Sequence, residues 1–423
     1  MQPSPAEVEL RLESLAFGGA AVGRYEGRAV FVPFGAPGDL VRVRLSEPHA
    51  RWARAELIEV LAPGAARREP PCPLAGRCGG CPWQQVDYAA QLAAKREILG
   101  RALRPVAPPT IEFVAAPAEL HYRRRVRLHW QRGPSGFRLG LHGWRSRELI
   151  DVEACPLLVP ALGRALGRLR AALAVGPAAS GTLAVLAGAE QECHFSLRVE
   201  RGAAAADEPW RGDGWLGDGI VGGLVSAAIG ATHAVGLPDV ALDRRGLRAH
   251  AACFTQAHAA QDAALAGRVQ ALSAVAAGRA VLELYAGCGN LTAALGERVA
   301  SVLAVESDAA AVALLGRNRA RIGAALEVRA QGAAEAVREL VAQRAVFPLI
   351  LLDPPREGAR ELIDGLAQLG AERIIYVSCD PLTLARDLSA LAPHGYRATS
   401  VAALDTMPQT HHFEILAALE RRV

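Results

Sequence analysis

Residues 281–292 read Val281-Leu-Glu-Leu-Tyr-Ala-Gly-Cys-Gly-Asn-Leu-Thr292. An apolar run leads into a turn carrying Gly287 and Gly289, and a segment with helical spacing follows. A strand that ends in a glycine turn and enters a helix brings backbone N–H groups to a bound ligand. Thr292 stands where a dinucleotide fingerprint has its third glycine, which weakens a pyrophosphate reading. From about residue 250 onward the pattern repeats as strand-like runs alternating with helical ones: Ala280 to Tyr285, Ser301 to Glu306, Leu326 to Ala330, Pro348 to Leu352, Ile374 to Ser378, Arg397 to Leu404 and Phe413 to Ala418. This alternation predicts an α/β domain with a Rossmann-like, doubly wound sheet over 251–423.

Upstream the pattern changes. Val8 to Leu12, Ala29 to Pro33, Leu40 to Leu45 and Ala55 to Val60 are short alternating runs separated by glycine turns, which predicts a small OB-like β-barrel over 1–63. Residues 64–250 mix short strand-like runs with a helix from about Pro82 to Leu103 and form a central α+β domain. The 423 residues allow about two to four domains, and 51% hydrophobic against 21% charged residues is ample for packed cores. A formal net charge of +4 excludes a polycation, so any nucleic-acid site must be a local patch. Lys95 is the only lysine, which leaves the basic work to arginine. The N-terminus lacks a signal-peptide pattern and no uncharged stretch reads as a membrane span, so a cytoplasmic protein is expected.

In that compartment eight cysteines point to metal or catalysis rather than to disulfides. Cys72, Cys78 and Cys81 stand as Cys-x5-Cys-Gly-Gly-Cys, with Cys155 far downstream. Such spacing is a metal-ligand signal for either tetrahedral zinc or an iron–sulfur cluster. Cys193 and Cys253 are alternative fourth ligands. Cys379 sits between the run Arg373 to Val377 and a helical stretch that starts at Pro381, with Asp380 placed as N-cap. A helix N-terminus aimed at the thiol is expected to lower its pKa. Glu306, ending the strand after the glycine loop, is placed to hold ribose hydroxyls, and Asp353-Pro-Pro-Arg at another strand end lines the cleft.

Glu283 and Glu306 around the loop resemble the layout of S-adenosylmethionine-dependent methyltransferases. With Phe31-Val-Pro-Phe-Gly-Ala-Pro-Gly-Asp-Leu-Val41, Cys78-Gly-Gly-Cys-Pro-Trp-Gln84, Phe254-Thr-Gln256, Asp353 to Gly358, Tyr376-Val-Ser-Cys379 and Thr410-His-His-Phe-Glu414 in this order, the whole chain resembles the RNA (uracil-5-)-methyltransferase family, in its branch with an N-terminal TRAM domain and a [4Fe-4S] cluster. The resemblance implies that Cys379 is the nucleophile and Glu414 the base. It implies S-adenosylmethionine contacts from Gln256, Tyr285, Gly287, Asn290, Glu306 and Asp353, and cluster ligation by Cys72, Cys78, Cys81 and Cys155. It also implies an RNA partner, most closely 23S rRNA in a single-stranded or looped segment, with no membrane and no DNA. His258, Asp380 and Met407 depart from the family pattern.

A tRNA uridine methyltransferase of the same mechanism and a catalytically inactive iron–sulfur RNA-binding protein are the rival readings. Cys379 and Glu414 speak against the second, and the absence of Cys-x3-Cys-x2-Cys speaks against a radical enzyme. Arg123, Arg124 and Arg125 are candidate phosphate contacts. Phe254 is either a base-stacking ring or a core residue. The barrel shows few exposed-looking aromatics beyond Tyr25 and Trp52, which favours backbone contact over base stacking there.

Overall fold

The computed structural model describes residues 7–422 apart from 48, 176–177, 203–212, 228–231 and 244. The chain divides into two compact units. One comprises Met1–Arg101, Gly140–Pro156 and Met407–His412, and the other Ala102–Leu139, Leu157–Thr406 and Phe413–Val423.

The first unit is built on a closed five-stranded barrel formed by Glu7–Leu15, Ala21–Tyr25, Arg28–Val32, Leu40–Ser46 and Trp52–Ala62. Period-2 alternation sends Val8, Leu10, Leu12 and Leu15 inward, and antiparallel pairing of Glu7–Arg11 with Leu40–Arg44 closes the wall. On the outer face Arg42 pairs with Glu9 and Glu59 while Arg44 pairs with Glu7 and Glu56, an exposed ladder that adds little stability. The buried Asp39 ties the barrel to residues 64–67. Its carboxylate accepts from the Ala36 and Gly64 amides at 2.7 and 2.9 Å and from Arg67. Gly64 must be glycine, since a Cβ there would lie 2.5 Å from the Gly38 carbonyl carbon.

Trp83 caps the barrel core and donates from Nε1 to the Gly19 carbonyl at 3.0 Å. On the helix Tyr88–Ala102 the buried Gln91 and Lys95 reach the Met407–His412 segment. Gln91 Nε2 and Arg68 Nη2 both donate to Gln409 Oε1, at 3.0 and 2.9 Å, and Lys95 Nζ donates to the Met407 carbonyl at 3.2 Å. The chain's only lysine is thus spent inside the fold, gripping the segment that leads to Glu414.

The second unit contains an eight-stranded sheet in the order Ala325–Ala330, Ser301–Glu306, Ala280–Leu284, Leu349–Leu352, Arg373–Ser378, Glu414–Arg421, Tyr396–Leu404 and Ile111–Val114. The first five are parallel, and Glu414–Arg421 runs antiparallel to both its neighbours. Val281, Leu282 and Leu284 are buried, as are all of Leu349–Leu352, because helices cover both faces of a parallel sheet. The strand order reverses between Ala280–Leu284 and Leu349–Leu352, the crevice where such sheets bind ligands. Ile111–Val114, from the region read as the central domain, joins the far edge of this sheet. Arg125–Gly133, Ala179–Ala187, Cys193–Gly202, Ile220–Ala227 and His233–Gly236 form part of a second sheet. No helix among the described residues is long and apolar enough to cross a membrane.

Candidate active site

Backbone register brings the two predicted catalytic residues together. Arg373–Ser378 and Glu414–Arg421 pair antiparallel with Ser378 opposite Ile415, so Cys379 and Glu414 lie at the same end of the pair, near enough for the Glu414 charge to act on the thiol. Leu352 pairs with Tyr376, which brings Asp353 to the same edge, and the Asp353 amide donates to the Leu284 carbonyl at the mouth of the glycine loop. Residues scattered over some 130 positions therefore share one rim of the sheet.

The helix after Cys379 begins at Pro381 with Asp380 as its N-cap, as the sequence predicts. The thiol does not gain what that geometry promised. Asp380 Oδ1 accepts from the Leu382 and Thr383 amides at 2.9 and 3.0 Å, so the capping carboxylate takes the N–H groups expected to face Cys379. Burial pushes the thiol up to about 11, aided by the negative charges of Glu414 and Asp353. Arg356 opposes this through its charge and a hydrogen bond to the thiol. The expectation of a lowered thiol pKa is therefore corrected, and the cation that favours the thiolate is Arg356, which in the sequence stands only as one member of the Asp353-Pro-Pro-Arg motif.

Glu414 is buried and its carboxyl is raised by that burial and by Asp353, while a hydrogen bond from Gln256 partly offsets both. Its Oε2 has no hydrogen-bond partner among the described residues, so one lone pair remains for a proton. Asp353 is raised in turn, chiefly by burial. Behind the rim the fully buried Asp387 accepts from Tyr376 Oη at 2.7 Å and from the Ala359 amide at 2.8 Å, which fixes the end of the Asp353–Gly358 turn against the helix that follows Cys379. Gly358 sits at φ +77°, and a Cβ there would come 2.4 Å from Asp387 Oδ2.

At the cofactor end Tyr285 adopts φ +63°, a strained conformation for a tyrosine and one that concentrates at functional sites. Gly287 has φ +57° with nothing within 4 Å of a built Cβ, which leaves an open backbone cradle. Its amide donates to Glu306 Oε2 at 2.8 Å, and Glu306 Oε1 accepts from the Ser307 and Asp308 amides, each at 2.7 Å. Three backbone donors thus fix the Glu306 carboxylate, and Oε2 keeps a lone pair for a ribose hydroxyl. An open glycine cradle beside an oriented carboxylate fits an adenosyl group. Asn290 Nδ2 donates to Asp262 Oδ1 at 2.6 Å, which orients it from behind. Glu283, buried under the loop, is pushed up to about 8 by burial.

Among the candidate phosphate contacts Arg124 is corrected. It is buried and its Nη2 pairs with Asp262 at 2.7 Å, so it braces the cofactor loop instead of facing a partner. Phe254 is 66% exposed, which removes the core reading, and the Arg125 guanidinium lies 5.7 Å from its ring centroid. His258 is buried against Tyr122, the rings stacked 4.8 Å apart.

Cys72, Cys78, Cys81 and Cys155 all belong to the first unit and are half-buried, and none of the eight cysteines is in a disulfide. Gly79 and Gly80 permit a tight loop, since a Cβ on Gly79 would lie 2.9 Å from the His142 carbonyl oxygen and one on Gly80 2.9 Å from Leu141 Cδ1. The alternatives Cys193 and Cys253 are buried in the second unit, where burial pushes each up to about 12 and disfavours the thiolate a metal needs. Among the described residues no three His, Cys, Asp or Glu side chains converge to hold a single ion.

The family profile described as tRNA (uracil-5-)-methyltransferase matches residues 240–422, and the TRAM domain profile matches residues 6–58. The 23S rRNA (uracil(1939)-C(5))-methyltransferase RlmD of Chromohalobacter salexigens is 34% identical, over 97% of this chain and 89% of that protein. The enzyme of the same description from Aeromonas hydrophila is 32% identical, over 99% and 97%. Among solved structures, Pyrococcus abyssi tRNA (uracil-54, C5)-methyltransferase in complex with S-adenosyl-L-homocysteine superposes with a TM-score of 0.74 at 23% identity, over 97% of this chain and 100% of that one. That likeness shows a shared fold.

Proposed function

The chain belongs to the RNA (uracil-5-)-methyltransferase family, and from that premise we propose that it methylates C5 of one uridine in 23S rRNA through a covalent Cys379 adduct. The observation that supports this reading is that the end of the Arg373–Ser378 and Glu414–Arg421 pair gathers Cys379 and Glu414, with Arg356 on the thiol and an open lone pair on the carboxylate.

Uracil C5 is too weak a nucleophile to accept a methyl group unaided. Cys379 Sγ adds to C6, and the C5–C6 electron pair moves into an enolate that makes C5 nucleophilic. The methyl group then passes from the sulfonium of S-adenosylmethionine to C5, leaving S-adenosylhomocysteine. Glu414 takes the C5 proton, the double bond re-forms and Cys379 leaves as thiolate, stabilised by Arg356. Gln256 orients Glu414, and burial keeps its carboxyl in a range useful for proton transfer at neutral pH. Tyr285, Gly287, Asn290, Glu306 and Asp353 line the cofactor side. The target base must leave its stack to reach this rim, and the exposed Phe254 is placed to fill a gap in the stack.

The segments 1–63, 64–250 and 251–423 then serve as RNA-binding barrel, cluster-bearing RNA-binding domain and methyltransferase domain. Cys72, Cys78, Cys81 and Cys155 are assigned to a [4Fe-4S] cluster. Four thiols in one unit, around glycines that let the chain turn tightly, suit a cluster that spaces its ligands more widely than a single ion does. Methyl transfer from a sulfonium needs no electron, so the cluster holds structure or positions RNA. An RNA substrate fits the cytoplasm.

Incubation with S-adenosylmethionine and either 23S rRNA or tRNA, followed by mass-spectrometric mapping of 5-methyluridine, tests the reading. Methylation of 23S rRNA alone is expected, and methylation of tRNA alone overturns that substrate. Cys379→Ala should abolish product and the stalled adduct with 5-fluorouridine RNA, whereas Cys288→Ala should still form the adduct. Wild-type product from Cys379→Ala refutes the mechanism.

A further inference from the structure

One buried ion pair of the second unit reaches both ends of the candidate active site. Arg124 stands just before the strand Arg125–Gly133, and Asp262 lies in the first turn of the helix Ala259–Leu272. Both side chains are more than nine-tenths buried, and Arg124 Nη2 donates to Asp262 Oδ2 at 2.7 Å. The rest of the guanidinium is spent on backbone. Nε donates to the Gln256 carbonyl at 3.0 Å and Nη1 to the Leu242 carbonyl at 3.1 Å, while the Arg124 amide donates to the Ala257 carbonyl at 2.9 Å. On the other side Asp262 Oδ1 accepts from Asn290 Nδ2 at 2.6 Å, and Asn290 opens the helix that follows the cofactor loop. Gln256 in turn hydrogen-bonds Glu414.

Stability does not account for such a pair. Desolvating two charges offsets most of their attraction, and an apolar pair of the same volume is often as stable. An ion pair supplies direction, because each bond fixes one donor on one acceptor, and the planar fork of arginine holds three acceptors at once. Its charge also carries further. Asp262 raises the carboxyls of Glu414 and Asp353, so a change at Asp262 is felt at the base. The groups that face Glu414 are Asp353, Arg356, Gln256, Asp262 and the Cys379 thiol. Those that face Asp262 are Arg124, Asn290, Arg245 and the Cys288 thiol, and Arg245 also donates to the Ala293 carbonyl of the Asn290 helix at 3.2 Å.

We propose that Arg124 and Asp262 are positioning residues for the base as well as for the cofactor, one pair holding Asn290 on the S-adenosylmethionine side and Gln256, through it Glu414, on the proton-accepting side. Methyl donor and base are thereby kept in register by groups that touch neither the methyl group nor the uracil. Arg124 stands 132 positions before Gln256 and 138 before Asp262, so only the folded unit joins them. The inference rests on the methyltransferase reading and deepens it.

The test uses the full chain with 23S rRNA and S-adenosylmethionine. Single-turnover reactions are quenched in denaturant between about pH 6 and 9, and the rate at which the covalent protein–RNA band resolves to free protein is followed. That step needs ionised Glu414, so it speeds up as pH rises through the Glu414 titration. Asp262→Asn keeps the shape and one acceptor but removes the negative charge, which leaves Arg124 to favour the ionised carboxyl. The midpoint should move to lower pH by about one unit. Arg124→Lys keeps the charge and loses the fork. Here the midpoint should stay, while the plateau rate and the affinity for S-adenosylhomocysteine each fall by about tenfold. A midpoint and a single-turnover rate constant belong to the folded molecules alone, so a general loss of folded protein moves neither. An unmoved midpoint in Asp262→Asn, or a wild-type plateau and affinity in Arg124→Lys, overturns the proposal. If the wild-type protein forms no covalent band, the methyltransferase reading itself falls.

Discussion

In the RNA-free protein Cys379 should be a sluggish thiol. Burial pushes it up to about 11, and each pH unit below that costs a factor of ten in thiolate, so at pH 8 only about one molecule in a thousand is ionised. The alkylation rate at Cys379 by iodoacetamide should therefore climb nearly tenfold per unit between about pH 8 and pH 10, without a plateau. Two substitutions give the sign. Arg356→Gln removes the cation that favours the thiolate and should slow alkylation at fixed pH by about three- to tenfold. Glu414→Gln removes the strongest opposing charge and should speed it by a similar factor. Peptide-resolved mass spectrometry separates Cys379 from the other seven cysteines. A rate that levels off below about pH 8 would mean that the helix N-terminus activates the thiol after all, and faster alkylation in Arg356→Gln would remove Arg356 from the mechanism.

Glu414→Gln should let the thiolate add and the methyl group transfer while proton removal stalls, so a slow protein–RNA band should build up on denaturing gels only when S-adenosylmethionine is present. Unchanged turnover would give the base role to another group. Asp387→Ala leaves the Tyr376 hydroxyl and the Ala359 amide buried without an acceptor, at a cost of about 2–5 kcal/mol. Asp387→Asn keeps an oxygen at Oδ2 and should cost about 1 kcal/mol, read as amide-exchange protection across Arg373–Ser378. Equal losses in the two variants would show that charge, not the acceptor, matters. Stability should fall as pH rises from about 5 to 9, because Glu283 holds in the fold, up to about 8, a proton that the unfolded chain gives up in the ordinary carboxylate range. The effect is on the order of a few kcal/mol. Glu283→Gln should make the profile shallower, the raised carboxyls of Asp353 and Glu414 keeping part of the same slope, and an unfolding midpoint that rises with pH in the wild type would contradict this sign.

Local sequence determined much of the second unit. The run from Val281 to Leu284, the positive-φ glycines and the Asp380–Pro381 helix start are set by chain stiffness, glycine freedom and capping, all of which act over a few residues. The alternation after residue 250 fixed the class of sheet for the same reason, and the barrel strands alternated clearly enough to be read.

Tertiary structure decided what depends on residues far apart in the chain. That Cys379 and Glu414 come to one end of the sheet follows from the register of an antiparallel pair, which no local pattern encodes. Arg124 looked like a phosphate contact but lies buried on Asp262, because an exposed and a buried arginine have the same sequence signal. The thiol pKa was misjudged because a helix dipole can be read from sequence, whereas desolvation and the nearness of Glu414 and Asp353 arise only when distant strands meet.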